Sequence, residues 1–267
     1  MNKISLKKSV IVLLDLLLAV YLVFAMTSFN RPDESQKLCT DVSINITDGS
    51  TYGFLKAKDI KNILERKKLY PYNKRLVDIN PRTIEETLRQ GAFINTAQCY
   101  KTQDGHVFIN VTQRLPIVRV KNDKGEDYYV DDQGNVMPTS HYTSDLIICT
   151  GNISQVFAKN QLAYFVQAIM ANKMWMNLVE QINVLPDLGI EIVPRIGNHI
   201  VHLGRLPNHK QNSVRRQLIN EMVAKKMDRL EKFYRYGLSQ AGWNRYSYIN
   251  LEFDNQIVCK KIKNNNK

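Results

Sequence analysis

The stretch Val107-Phe-Ile-Asn-Val-Thr-Gln-Arg-Leu-Pro-Ile-Val118 divides the chain. Val107–Val111 reads as a strand. Leu115-Pro116 then interrupts it, since proline lacks an N–H to continue a ladder. Ile117–Val120 restarts the apolar pattern as a second strand. Reading outward in both directions from this joint yields two blocks of different character. Upstream, Phe93–Tyr100 pairs with Val107–Val111 through Gln103-Asp104-Gly105, a hairpin turn. Ahead of that hairpin a helix opens with Asn80 as N-cap and Pro81 at its first position. Glu85 and Glu86 lie in its early turns, Ile84 and Leu88 face inward, and Gly91 ends it. Further back Leu55, Ile60, Ile63 and Leu64 recur at helical spacing through Lys56–Lys67, and Pro71 marks a loop. Leu38–Ile46 alternates, with Val42, Ile44 and Ile46 on one face, and closes at Asp48-Gly49-Ser50. Residues 38–115 thus read strand, helix, helix, strand, strand.

Downstream, Ile117–Val120 and Tyr128–Asp131 are strands around an Asp123-Lys124-Gly125 turn. Asp132-Gln133-Gly134-Asn135 leads into Val136-Met137, and Leu146–Cys149 is a further strand. Gln161–Lys173 is helical by its Leu162, Phe165, Val166 and Ile169 stripe. Ile182–Leu185, Gly189–Val193 and Ile200–Leu203 are strands separated by Pro186-Asp187 and Gly197-Asn198 turns. Asn208–Tyr236 is the longest helix, with Val214, Leu218, Met222, Leu230 and Phe233 predicted inward and Gly237 after it. The chain closes with Tyr246–Phe253 and Gln256–Ile262, a hairpin across Asp254-Asn255.

At the other end, Val10–Met26 is apolar except for Asp15. A helix over Ser9–Phe29 measures roughly 31 Å at about 1.5 Å per residue, enough to cross a bilayer core. Lys3, Lys7 and Lys8 precede it without an acid, and Pro32 stops it. That asymmetry keeps the N-terminus in the cytoplasm and sends the remainder across. A cleaved signal shares the basic start and apolar core; the length of the run and the poor site at Val23-Phe24-Ala25 favour an uncleaved anchor. Asp15 would face a partner helix or the hydrated cytoplasmic end.

The 267 residues are 44% apolar and carry a formal charge of +12, 37 basic against 25 acidic side chains. Mean hydropathy is −0.32, so nothing beyond the anchor reads as membrane-embedded. The cations are spread along the chain, which fits a solvated basic surface beside anionic lipid or wall polymer and not nucleic acid. Cys39, Cys99, Cys149 and Cys259 lie far apart with no metal-ligand spacing. A disulfide such as Cys39–Cys99 and four buried thiols are both compatible with their apolar surroundings.

The search for chemistry returns no catalytic residue, cofactor, metal or small-molecule substrate. His199 and His202 sit three apart on a predicted strand, which points them to opposite faces. Asp131-Asp132 precede Gln-Gly-Asn and read as a turn instead of an acid–base pair. No phosphate loop or nucleophile elbow is present. Trp175 and Trp243 read as core or interface aromatics. Asn45-Ile-Thr, Asn110-Val-Thr and Asn152-Ile-Ser fit a glycosylation pattern too short to inform. What remains is a binding surface: a final strand is often an edge strand, whose unpaired backbone groups can take up a strand from another protein.

The joint quoted above resembles the "strand, then Arg-x-Pro" boundary of the bacterial cell-division family FtsQ/DivIB. Tyr128-Tyr-Val-Asp-Asp-Gln-Gly-Asn-Val136 is similar to its "Val-Asp-x-x-Gly" strand and turn, and Tyr248-Ile-Asn-Leu-Glu-Phe253 to its terminal strand, with Asn250 where an Asp is often found. The wording of Asn208–Cys259 is most similar to the Bacteroidetes branch. The resemblance implies an α+β chain: cytoplasmic tail (1–8), single N-terminal transmembrane helix (9–29), linker (30–37), POTRA-like β-α-α-β-β domain (38–115), β-rich domain with a mixed or antiparallel sheet and flanking helices (116–262), and disordered tail (263–267). It implies a non-enzymatic divisome scaffold of the inner membrane, its bulk periplasmic and enriched at the septum. FtsB- and FtsL-like coiled-coil proteins would be its partners, and through them FtsW and FtsI. The role carries onto Tyr248, Asn250, Leu251 and Phe253 and, more loosely, Trp243. Alternation sets Tyr248, Asn250 and Glu252 toward the partner and Ile249, Leu251 and Phe253 toward the core. The alternatives are a POTRA-bearing protein of export or outer-membrane assembly, or a membrane-anchored wall enzyme.

Overall fold

The computed structural model describes residues 6–28, 37–47, 54–140 and 145–262. Most of the linker, the Asp48-Gly49-Ser50 turn and the tail beyond residue 262 lie outside the described residues. Helix α1 (Leu6–Ser28) contains the apolar window Lys8–Met26, with mean hydropathy 2.6 and none of that window buried. By length and composition it can cross a membrane.

The remaining chain divides into two compact units. In the first, β1 (Asp41–Ile46), α2 (Ala57–Arg66), α3 (Pro81–Arg89), β2 (Ile94–Lys101) and β3 (His106–Gln113) follow in the expected order. The three strands run β1-β3-β2, with β1 parallel to β3 from Asp41 opposite His106 to Ile46 opposite Val111. Asn80 caps α3 by accepting the Thr83 N–H at 3.3 Å, and Pro81 occupies the first turn. Ile60 and Leu64 of α2, Ile84 and Leu88 of α3, and Val107, Ile109 and Val111 of β3 are all buried. Leu38, expected within the first strand, makes only an isolated bridge to Arg75.

The second unit takes in Thr112–Lys267, with Gly91–Asn95 and residues 54–56. Phe54 anchors the latter: its ring stacks on Phe93 at 6.2 Å and meets Tyr129 edge-on at 5.8 Å. The strands are β4 (Pro116–Asn122), β5 (Asp127–Asp131), β6 (Val136–Met137), β7 (Ile147–Gly151), β8 (Val179–Val184), β9 (Gly189–Pro194), β10 (Ile200–Arg205), β11 (Tyr246–Asn250) and β12 (Val258–Lys261). They form one mixed sheet in the order β12-β11-β10-β9-β8-β7-β4-β5-β6. The pairs β4–β7, β7–β8 and β10–β11 are parallel, the rest antiparallel. A parallel pair needs a crossover. Helices supply two of them: α4 (Gln155–Phe157), α5 (Ala163–Met170) and α6 (Lys173–Leu178) between β7 and β8, and α7 (Asn212–Phe233) with α8 (Ser239–Ala241) between β10 and β11. Phe165, Val166 and Ile169 of α5 and Ile219, Val223, Met227 and Leu230 of α7 form one core with Val120, Cys149, Ile182, Ile192, Val201 and Ile249 of the sheet.

Two helices differ from expectation. The predicted Gln161–Lys173 helix is broken by a π turn at Ala158–Leu162, and Asn172 caps a separate α6 by accepting from the Met174 and Trp175 N–H groups. Over the first half of α7 the buried stripe is rotated by one residue, about 100°, from the predicted one, while Leu230 further along is buried as predicted. Ile219, Val223 and Met227 are buried, and Leu218 is 36% exposed. The reason is chemical. The inward face also carries Arg215 and Lys226, whose charged heads find backbone carbonyl oxygens. A tally of apolar residues therefore favours the neighbouring stripe. A second π turn, Tyr234–Leu238, encloses Gly237, which does not end the helix.

His199 lies in the loop before β10, not on a strand, and is 3% exposed; its Nε2 meets the Tyr234 hydroxyl at 2.7 Å. Burial holds its pKa below the ordinary 6.5. The unfolded imidazole protonates near 6.5 and the folded one only at lower pH, so in that interval the unfolded chain binds more protons. Thermal unfolding of the second unit is expected to shift to lower temperature between about pH 7.5 and 5.5, with a shallower dependence in His199→Gln; identical slopes would remove His199 as the cause. Gly151 offers a second check. It ends β7 with φ +95, and a Cβ there would run into the Val184 carbonyl oxygen and the Asn183 Oδ1. Gly151→Ala is expected to cost more than about 2 kcal/mol, measured by denaturant unfolding.

Candidate partner-binding surface

The C-terminal hairpin places β12 last in the sheet, paired with β11 alone among the described residues. Ile249 faces Cys259 and Asn250 faces Val258, with a bulge between Tyr246 and Tyr248. The Ile262 N–H donates to the Arg245 carbonyl, and the Lys260 carbonyl accepts from Ser247 Oγ. Backbone groups along an antiparallel strand point to alternate sides. Lys260 and Ile262 therefore face β11, and the N–H and C=O of Cys259 and Lys261 face outward. Val258 is 50% exposed, and Lys260 and Lys261 are exposed.

Strand β11 itself is interior. Tyr248 lies opposite Ile200 of β10 on one side and Lys260 of β12 on the other. The residues singled out from sequence thus stand one strand in from the open edge. Tyr248 donates its hydroxyl to Glu191 Oε1 at 2.9 Å and stacks over His202 at 6.1 Å and 21°. Burial, and then the Glu191 carboxylate, push its phenol well above the usual range. Glu191 Oε2 accepts from Asn183 Nδ2, Asn183 Oδ1 from Thr150 Oγ1, and Thr150 Oγ1 from Gln181 Nε2. A polar row crosses the sheet from β7 to β11. Asn250 Oδ1 accepts the Glu252 N–H at 2.7 Å. The Leu251 side chain is fully buried, so it makes no surface for a partner. Phe253 corrects the alternation. The strand ends at Asn250, and Phe253 stands in the turn, 50% exposed and off the core. Trp243 is 38% exposed and packs edge-on against Tyr234 at 5.3 Å.

Sequence reasoning reads Gln256–Ile262 as the closing strand but places no binding residue on Val258–Lys261, although a signal was present: adjacent lysines on a short strand are how exposed edges are blunted.

Elsewhere the carboxylates and imidazoles have structural work. Asp131 is 1% exposed and accepts from the Gln133 and Asn135 N–H groups at 3.0 and 2.7 Å, with Arg114 Nε at 3.5 Å. It ties the turn that sequence places there. His202 is 3.6 Å from Glu252. No group of three or more His, Cys, Asp or Glu side chains suited to a metal occurs among the described residues. All four cysteines are free thiols, and burial pushes Cys99 up to about 12.

Two family models match. A POTRA-like domain covers residues 37–112, and a domain described as FtsQ/DivIB, C-terminal related covers residues 115–260. No curated protein matches the chain. The two domains, in this order behind an apolar helix, suggest a divisome scaffold role. The second match spans more than half of the residues, and by it the chain belongs to the FtsQ/DivIB family of cell-division proteins.

Proposed function

We propose that this protein is a non-enzymatic scaffold of the divisome that holds FtsB- and FtsL-like coiled-coil proteins by strand addition at β12. Helix α1 fixes it in the inner membrane with the N-terminus cytoplasmic and both domains periplasmic. Through those partners it is linked to the septal peptidoglycan synthase pair FtsW and FtsI. The observation that carries the reading is the open side of β12. Cys259 and Lys261 turn their backbone donors and acceptors away from β11, at the end of the domain that defines the family. Main-chain bonds give such an edge its affinity, and the exposed side chains give it selectivity. Tethering both partners to one membrane confines them to a plane and raises their effective concentration.

Proline tests the edge directly, because it deletes an outward donor without breaking the inner ladder. Cys259→Pro and Lys261→Pro are each expected to lower recovery of the coiled-coil partner by about tenfold, or 1.4 kcal/mol, with the far-ultraviolet circular dichroism unchanged. Undiminished recovery from both variants, folded by that criterion, would overturn docking at β12. In cells, a fluorescent fusion is expected at mid-cell and depletion to yield filaments. Uniform envelope staining with normal division would overturn the scaffold role itself.

A further inference from the structure

The turn that carries β11 into β12 is held from one side by three cations on two adjacent turns of α7. Lys226 Nζ donates to the carbonyl oxygens of Leu251 and Glu252 at 2.8 and 2.9 Å. Arg229 Nη1 donates to those of Phe253 and Gln256 at 2.6 and 3.3 Å. Lys225 Nζ reaches Asp254 Oδ1 at 2.9 Å, and Arg229 Nη2 lies 3.6 Å from the same oxygen. Lys225 lowers the Asp254 carboxyl below the usual carboxylate range by that hydrogen bond. Asn255 completes the turn in the left-handed region, φ 60.

Lys226 is unusual among these. It is only 9% exposed, and burial holds its ammonium below the ordinary lysine range, with Arg229 adding repulsion. Burying an ammonium is costly, and apolar side chains of similar size often serve stability as well or better. What an apolar side chain cannot do is bind carbonyls that have no partner in the ladder. Strand β12 needs such help. It has four residues, Val258 and the two lysines are exposed, and among the described residues only β11 pairs with it.

We infer that Lys226 and Arg229 are positioning residues for docking: they pin the Leu251–Gln256 turn to α7 and so hold β12 in the place where it receives a partner strand. This rests on β12 being the docking edge, and it adds that the edge is set by a helix on the core side and not by the strand's own pairing. The pinned carbonyls belong to the turn, so the device leaves the open side of β12 untouched.

Amide hydrogen exchange and partner capture separate the possibilities in the full-length protein. In Lys226→Met/Arg229→Met, the inward amides of Lys260 and Ile262 at β12 are expected to exchange at least about tenfold faster while those of β8 and β9 keep their protection. Capture is expected to fall as far as in Lys261→Pro. Lys226→Arg/Arg229→Lys, which keeps donors on both residues, is expected to recover β12 protection and capture together. Unchanged β12 exchange in the double Met variant would overturn the inference. So would loosened β12 with full capture, while Lys261→Pro still loses it. Full capture in Lys261→Pro identifies the other failure, that β12 is not the edge used. If β8 and β9 lose protection equally, the two cations act on global stability and the positioning role falls.

Discussion

The arrangement of the second unit depends on the burial of α7 against the sheet. Strands β10 and β11 are parallel, and parallel neighbours cannot be joined by a turn. The chain must leave the sheet after Arg205, travel the length of a helix and re-enter at Tyr246. That detour is favourable because Ile219, Val223, Met227 and Leu230 are withdrawn from water on arrival. Fully burying side chains of this kind contributes about 1.5–3 kcal/mol each. The C-terminal hairpin contributes little by comparison: within it, Ile249 and Leu251 are the fully buried side chains, and both lie on the inner strand or just after it. The edge of the molecule is thus placed by a helix that it follows in sequence.

The polar row over the opposite surface of the sheet has a related logic. Gln181, Thr150, Asn183, Glu191 and Tyr248 each give or accept a bond from the next. Partly satisfied, such a chain would be costly; satisfied, it fixes which side chains stand opposite one another. It runs through β9, which pairs antiparallel on both sides, to β11, which does not. The register of the inner C-terminal strand is thereby tied to strands far earlier in the chain.

Much of this was legible in the sequence where the signal is local. Asn80-Pro81 announced α3 and its cap, Gln103-Asp104-Gly105 the β2–β3 hairpin, and Asp131 the turn that it ties. The joint at Leu115-Pro116 placed β4, which opens at Pro116. Legibility failed where partners are remote. Over Val214–Met222 the periodicity of α7 pointed to the neighbouring stripe because Arg215 and Lys226 count as outward residues until the carbonyls they bind are known. His199 could not be removed from a strand without Tyr234, 35 residues away. The placing of the binding residues on β11 and not on β12 has the same origin. Both belong to one hairpin, and which of them meets β10 is decided by the crossover and not by either strand's composition.

The length of β12 sets a bound on how tightly anything can be held there. A four-residue strand turning alternate groups outward presents two residues, hence two donors and two acceptors. At about 1 kcal/mol for each net hydrogen bond, the main chain alone supplies on the order of 4 kcal/mol, equivalent to a dissociation constant of about 1 mM. A strand seated on this edge is released readily unless side chains or a shared membrane add to the hold.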